Sequence, residues 1–284
     1  MNKKHMLAAA VMLSMGAAGA AQAGTVLSQM FAGFQQFSDN SAEYLINAPG
    51  TGVNTVDVGD RLHGIFTYET IEKAPTTNHI GAGSGNNELT GVFDVTVLSK
   101  SGGPGGFIYT FGPTASWAAA NGFAAGAAVA YYEDASNDYS RLRIVPGDTV
   151  ATLEATASNG SLFWVAGFAG ASDFWTASSL TDDIVVLGNL PAPGVGGSYN
   201  AGLTLLTNNS GAQFRTVSCF SPMAGIVQVD QCMSGSLLAK GGANTPFHSF
   251  DNVDLTVNKI PEPATMALLG LGLLGLAASR RRKG

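Results

Sequence analysis

Several stretches of the chain alternate apolar and polar side chains with a period of two, as a half-buried strand requires. Phe93, Val95 and Val97 fall on one face, with Asp94 and Thr96 on the other. Val253, Leu255 and Val257 oppose Asp254, Thr256 and Asn258 in the same way. Leu142 and Ile144 alternate with Arg141 and Arg143, and Leu153, Ala155 and Ala157 with Thr152, Glu154 and Thr156. Further strands are predicted over 62–71, 129–132, 162–168, 184–187 and 214–217. Asn159-Gly160, between 151–157 and 162–168, predicts a hairpin, because a type I′ turn needs positive φ at both central residues. The Gly/Pro-rich segments 102–106 and 191–197 predict loops, and the second is the best candidate for a break between subdomains. Ala115 to Ala130 is rich in alanine but interrupted by Gly122 and Gly126, which leaves room for a short helix only. About ten short strands separated by turn signals predict an all-β body, an antiparallel β-sandwich of the jelly-roll kind.

Composition agrees with strands and turns. Only 12% of residues are charged and 37 of 284 are glycine, a poor recipe for long solvated helices. Charge is unevenly placed. Of 14 basic residues, Lys3 and Lys4 lie at one end and Arg280, Arg281, Arg282 and Lys283 at the other. The chain between them keeps eight, against all 20 acidic residues, a net of −12. Phosphate backbones repel such a surface, which excludes nucleic acid as a partner.

The two ends carry addresses. Lys3 and Lys4 precede an apolar run from Met6 to Ala20 and the small-x-small sequence Ala21-Gln22-Ala23. These are the three parts of a secretory signal peptide, so residues 1–23 are expected to be removed by signal peptidase and the mature chain to begin at Gly24. At the other end Pro261-Glu262-Pro263 is followed by the uncharged run 264–279 and then by Arg280, Arg281, Arg282 and Lys283. As a helix the run spans roughly 24 Å, short of the roughly 30 Å hydrocarbon core. Snorkelling arginines and bilayer thinning let it serve as a single C-terminal transmembrane helix, with its basic end held in the cytoplasm.

Motif, apolar helix and basic end in this order resemble the PEP-CTERM sorting signal of Gram-negative bacteria that make exopolysaccharide. The resemblance covers 260–284 and leaves the body, 24–259, unassigned. It implies an inner-membrane precursor recognised by an exosortase, a membrane-embedded cysteine transpeptidase. The enzyme would cut near Pro261, Glu262 and Pro263, discard the helix, and release the body or re-anchor it at the cell surface. An ordinary anchor that is never cut is the alternative.

Chemistry in the body is sparse. Cys219 and Cys232 form either a disulfide, which an exported compartment favours, or a pair of free buried thiols. No G-x-S-x-G elbow, zinc-ligand spacing or Walker lysine occurs. His63, His79 and His248 are expected at the surface or in loops. Glu133, Asp134, Asn137 and Asp138 are a weak calcium candidate set and Asp182-Asp183 a weaker one, both alternatively solvated turns. Trp117, Trp164, Trp175, Tyr131 and Tyr132 either belong to the core or form a platform for sugar rings. The expectation is therefore a non-enzymatic protein with no resident cofactor, acting as a structural or adhesive part of exopolysaccharide, biofilm or floc. A carbohydrate-binding module, calcium-assisted or not, is the alternative, and a secreted hydrolase the third.

Overall fold

The computed structural model describes residues 24–139, 147–183, 196–240 and 246–261. The signal peptide, the strands predicted at 141–144 and 184–187, the loop 191–195 and the tail from Glu262 to Gly284 lie outside these residues. The expected membrane helix at 264–279 is among them, and among the described residues no helix is long and apolar enough to cross a membrane.

The body is all-β but closes into an eight-stranded barrel, which corrects the expected sandwich. The ring runs through β1 (Gly33–Ile46), β2 (Arg61–Lys73), β4 (Glu88–Gly103), β6 (Ala127–Asp134), β7 (Ser161–Gly167), β9 (Gly197–Asn208), β13 (Gln231–Lys240) and β14 (Ser249–Lys259), and β14 pairs back onto β1. Every one of these pairings is antiparallel. Two pairings turn the sheet into a barrel. In one, the first and last strands meet, Gly33 opposite Lys259 and Glu43 opposite Ser249. In the other, β2 runs beside β4. There Gly64 stands opposite Phe93 and Phe66 opposite Gly91, and a Cβ at either glycine would overlap the facing ring. The bare backbone gives each aromatic ring room to fold inward where the wall curves.

The long strands β4 and β9 each serve two partners on one edge. Glu88–Phe93 of β4 pairs with β6, whereas 95–103 pairs with β5 (Gly106–Pro113). Thr204–Asn208 of β9 pairs with β7, and 197–202 pairs with β8 (Phe174–Ser179). β5 pairs with β8 in turn, so this part of the wall is two stacked ribbons. Short β3 (Thr76–His79) extends β2, and β10 (Phe214–Arg215) pairs with the end of β14. A hairpin of β11 (Val217–Ser221) and β12 (Gly225–Val229) lies outside the wall, where Val217, Cys219 and Val229 pack against Phe174.

One end of the barrel is shut. Helix α1 (Val26–Gln29), capped by Thr25, buries Val26 among Met30, Phe37, Ile71 and Ile80. The Val26 amide donates to Glu133 Oε1 at 2.7 Å. Above this plug Phe37, Tyr68, Tyr131 and Trp164 fill the lumen edge-to-face, with Trp164 5.5 Å from Tyr131 and 5.9 Å from Phe37. Outside the wall, α2 (Ala115–Ala120) and α3 (Val150–Ala157) cover Ala42, Ile65, Val92 and Ala130. Strands buried on both faces read as continuous apolar runs, which is why Ala127–Ala130 shows no alternation.

Helix α3 replaces the strand expected at 151–157, and with it the hairpin at Asn159-Gly160. Leu153 and Ala157 are both buried, and their spacing of four suits a helix face as well as a strand face. A reciprocal capping box between Thr149 and Thr152 decides between the two by satisfying the first free amides of the helix. The alanine-rich segment splits into α2 and β6 at the positive-φ glycines Gly122 and Gly126.

Candidate functional site

The other end of the barrel is hollow. A cavity of about 100 Å³, room for several waters or one ring-sized ligand, lies between β1, β2, β5, β8, β9 and β14. It lies toward the end opposite Gly33 and Lys259, and so away from the point where the chain leaves for its C-terminal tail. Its walls are mostly aromatic. The Trp175 ring stacks on Tyr199 at 5.9 Å and leans on Phe93 at 5.6 Å. Phe111 and Tyr109 continue the surface along β5.

Polar groups enter this apolar space from β1 and β14. Ser41 stands opposite Asp251 and Glu43 opposite Ser249, so all four project from one patch of wall. Glu43 is 2% exposed and accepts the Ser249 hydroxyl at 3.0 Å. The Asp251 Oδ1 is shut off from solvent and has no hydrogen-bond partner among the described residues. Burial pushes the Asp251 carboxyl up to about 7, so near neutral pH it can donate as well as accept. The Tyr109 hydroxyl is likewise buried without a partner, and burial pushes it up to about 12, which keeps it a neutral donor.

Two loops rim the mouth. Val56, between β1 and β2, donates its amide to the Asp182 carbonyl at 2.8 Å. Lys100 bridges Asp57 at 2.8 Å and Asp182 at 2.7 Å, and its ammonium sits 5.3 Å from the Phe107 ring centroid. The Lys100 hydrogen bond holds Asp57 below the usual carboxylate range.

A second polar group lies outside the wall. His63 is buried on β2, contrary to the surface position expected for it. Its Nδ1 lies 2.8 Å from Asp94 and its Nε2 3.3 Å from Glu154 of α3. Arg61 pairs with the fully buried Asp94 through two nitrogens. Burial opposes charge on His63, but the Asp94 and Glu154 carboxylates outweigh it and raise its pKa. Among the described residues no nucleophile is hydrogen-bonded to this histidine, and the cluster ties α3 to the barrel. His79 is exposed on β3, and His248 accepts the Leu45 amide at 2.9 Å.

The calcium candidates divide. Glu133 turns to the α1 plug, where it also accepts from Asn87 at 2.8 Å. Asp134 and Asp138 come together with Glu88, whose distance in sequence concealed it. Asn137 holds the turn between them at φ 52°. Of the aromatic candidates only Trp175 lines the cavity. Trp164 and Tyr131 fill the lumen, Trp117 packs on Phe123 beneath α2, and Tyr132 lies in the outer layer. Cys219 and Cys232 form a disulfide with Cα atoms 5.4 Å apart, tying the outer hairpin to β13. Sequence reasoning missed Glu43, Asp251 and Tyr109 as a group. Only the β1–β14 register and the turn of the wall bring them together.

The model of the PEP-CTERM protein-sorting motif matches residues 259–283. No curated protein and no solved structure matches the chain. The chain thus carries a PEP-CTERM sorting signal, which implies export, a membrane-anchored precursor and processing by an exosortase. β14 ends at Lys259, where the matched segment begins, so the barrel runs into the sorting signal with no intervening linker.

Proposed function

We propose that this exosortase-sorted protein is a non-enzymatic component of an exopolysaccharide matrix that holds a saccharide unit in the mouth of its barrel. One observation carries the reading. Among the described residues the buried Tyr109 hydroxyl and Asp251 Oδ1 have no hydrogen-bond partner, and both residues line the aromatic-walled cavity. Unpartnered buried polar groups are costly, so a cavity that keeps them favours a ligand that satisfies them. A sugar ring meets these requirements with an apolar face for Trp175 and hydroxyls for Tyr109, Asp251 and Glu43.

The position of the cavity at the end of the barrel away from the tail supports a role at the cell surface, because a body held by its tail would present that end outward. The placing of the acids supports binding over hydrolysis. Glycosidases set two carboxyls on either side of the scissile bond. Glu43 and Asp251 instead share one patch of wall at diagonal positions on adjacent strands, and the third carboxylate in the lining, Asp182, is engaged by Lys100 at the rim.

A glycan array probed with the purified full chain, with and without chelator, tests the ligand. Binding to a defined saccharide with no cleaved product supports the reading, and silence across the array or turnover sinks it. The intact mass of the protein from cell-surface and medium fractions tests its placement. A chain from Gly24 to a residue near Pro261 is expected there, and a chain that keeps residues 264–284 contradicts it.

A further inference from the structure

At the shut end of the barrel, far from the mouth, Glu88 opens β4 directly opposite Asp134, the last residue of β6. Like charges facing each other across a strand pair are destabilising unless something neutralises them. Asp138 joins them from the turn after β6, and one carboxylate oxygen from each of the three lies within 4.8 Å of the others. Glu88 is 0% exposed. Its carboxyl interacts with the backbone of Asp138 and accepts the Tyr139 amide on Oε1 at a long 3.4 Å, while its buried Oε2 has no hydrogen-bond partner among the described residues. Asp134 is turned toward Ser136, and Asp138 Oδ2 accepts the Asn159 side-chain amide at 3.0 Å. The Asn137 side-chain oxygen, in the same turn, is a second buried acceptor without a partner among the described residues.

No cationic side chain is hydrogen-bonded or ion-paired to these carboxylates among the described residues. Three carboxyl oxygens, one of them from the buried Glu88, match the donor set of a hard divalent cation, which takes six to eight oxygens and completes its shell with water and backbone carbonyls. We propose that Glu88, Asp134 and Asp138 bind a calcium ion that pins the turn after β6 to the start of β4. The site is independent of the saccharide reading, because none of its residues borders the mouth cavity.

Calorimetric titration of the metal-free full chain with calcium chloride tests it, alongside thermal unfolding with and without the ion. One ion per chain is expected, with a dissociation constant on the order of 10⁻⁴–10⁻³ M, as in extracellular modules. Tm should rise with calcium. Glu88→Gln and Asp134→Asn should each weaken binding at least tenfold, whereas Asp173→Asn, remote from the site, should leave it unchanged. No saturable binding to the wild-type chain overturns the proposal, whatever the variants do. Equal affinity in the wild type and in folded Glu88→Gln also overturns it, because the ion would then sit elsewhere.

Discussion

Trp164 and Trp175 sit in one barrel and live under different rules. Trp164 is fully buried in the shut half, where the rings of Phe37, Tyr131 and Phe214 close around it. Trp175 is 4% exposed, yet part of its surface faces a cavity. In the shut half the inward positions of β1, β2 and β6 carry Phe37, Tyr68 and Tyr131. In the open half the same inward row of β1 continues as Ser41 and Glu43, and β14 adds Ser249 and Asp251. The barrel needs only one packed layer to hold itself together. The other layer is left hollow and polar, an arrangement with no advantage for stability alone.

The comparison breaks first at Trp164. Trp164→Ala should destabilise the fold by about 3–5 kcal/mol, since a dry, well-packed ring leaves a cavity that cannot collapse. Chemical denaturation of the full chain checks it, and a loss under 1 kcal/mol would mean that the shut half is not the packed layer. At the closing seam, Gly91→Val should cost about 3 kcal/mol, because its Cβ would meet both the Phe66 ring and the backbone carbonyl of Ala130.

In the open half the response to pH runs through Asp251. A carboxyl that binds its proton more tightly in the folded chain than in the unfolded one stabilises the fold at low pH. That contribution fades as pH rises from the ordinary carboxylate range to about 7. Discounted for the water that enters the cavity, the Asp251 share is on the order of 1–2 kcal/mol. Asp251→Asn should flatten the fall of stability between pH 4 and 7, and an unchanged slope would place the titrating group elsewhere. The smallest effect on stability is expected at Trp175→Phe, under about 1.5 kcal/mol, because the change enlarges a space that already exists. Its effect on ligand binding should be large, and that inversion relative to Trp164 is what distinguishes the two halves.

Strand content was legible in the alternation of Phe93–Val97 and Val253–Val257, because each strand obeys its period whatever its neighbours are. Closure was not, since a sandwich and a barrel demand the same alternation. The information lies in contacts such as Gly33 with Lys259 and in the crossed pairs Gly64–Phe93 and Phe66–Gly91. Leu153 and Ala157 fit two periods, and only the Thr149 cap distinguishes them. His63 defeats a composition argument because its charge partners, Asp94 and Glu154, come from a strand and a helix that meet only in the fold. Glu88 was invisible as a partner of Asp134 for the same reason. The sorting tail was fully legible, because a protease reads it as sequence rather than as a packed structure.

The central claim is that the open half is a binding site, and saccharide titration of the full chain followed by tryptophan fluorescence tests it most directly. The wild type should show saturable single-site binding, and Asp251→Asn and Trp175→Phe should each weaken it at least tenfold while the chain stays folded. No saturable change in the wild type, or equal affinity in both folded variants, would contradict the account.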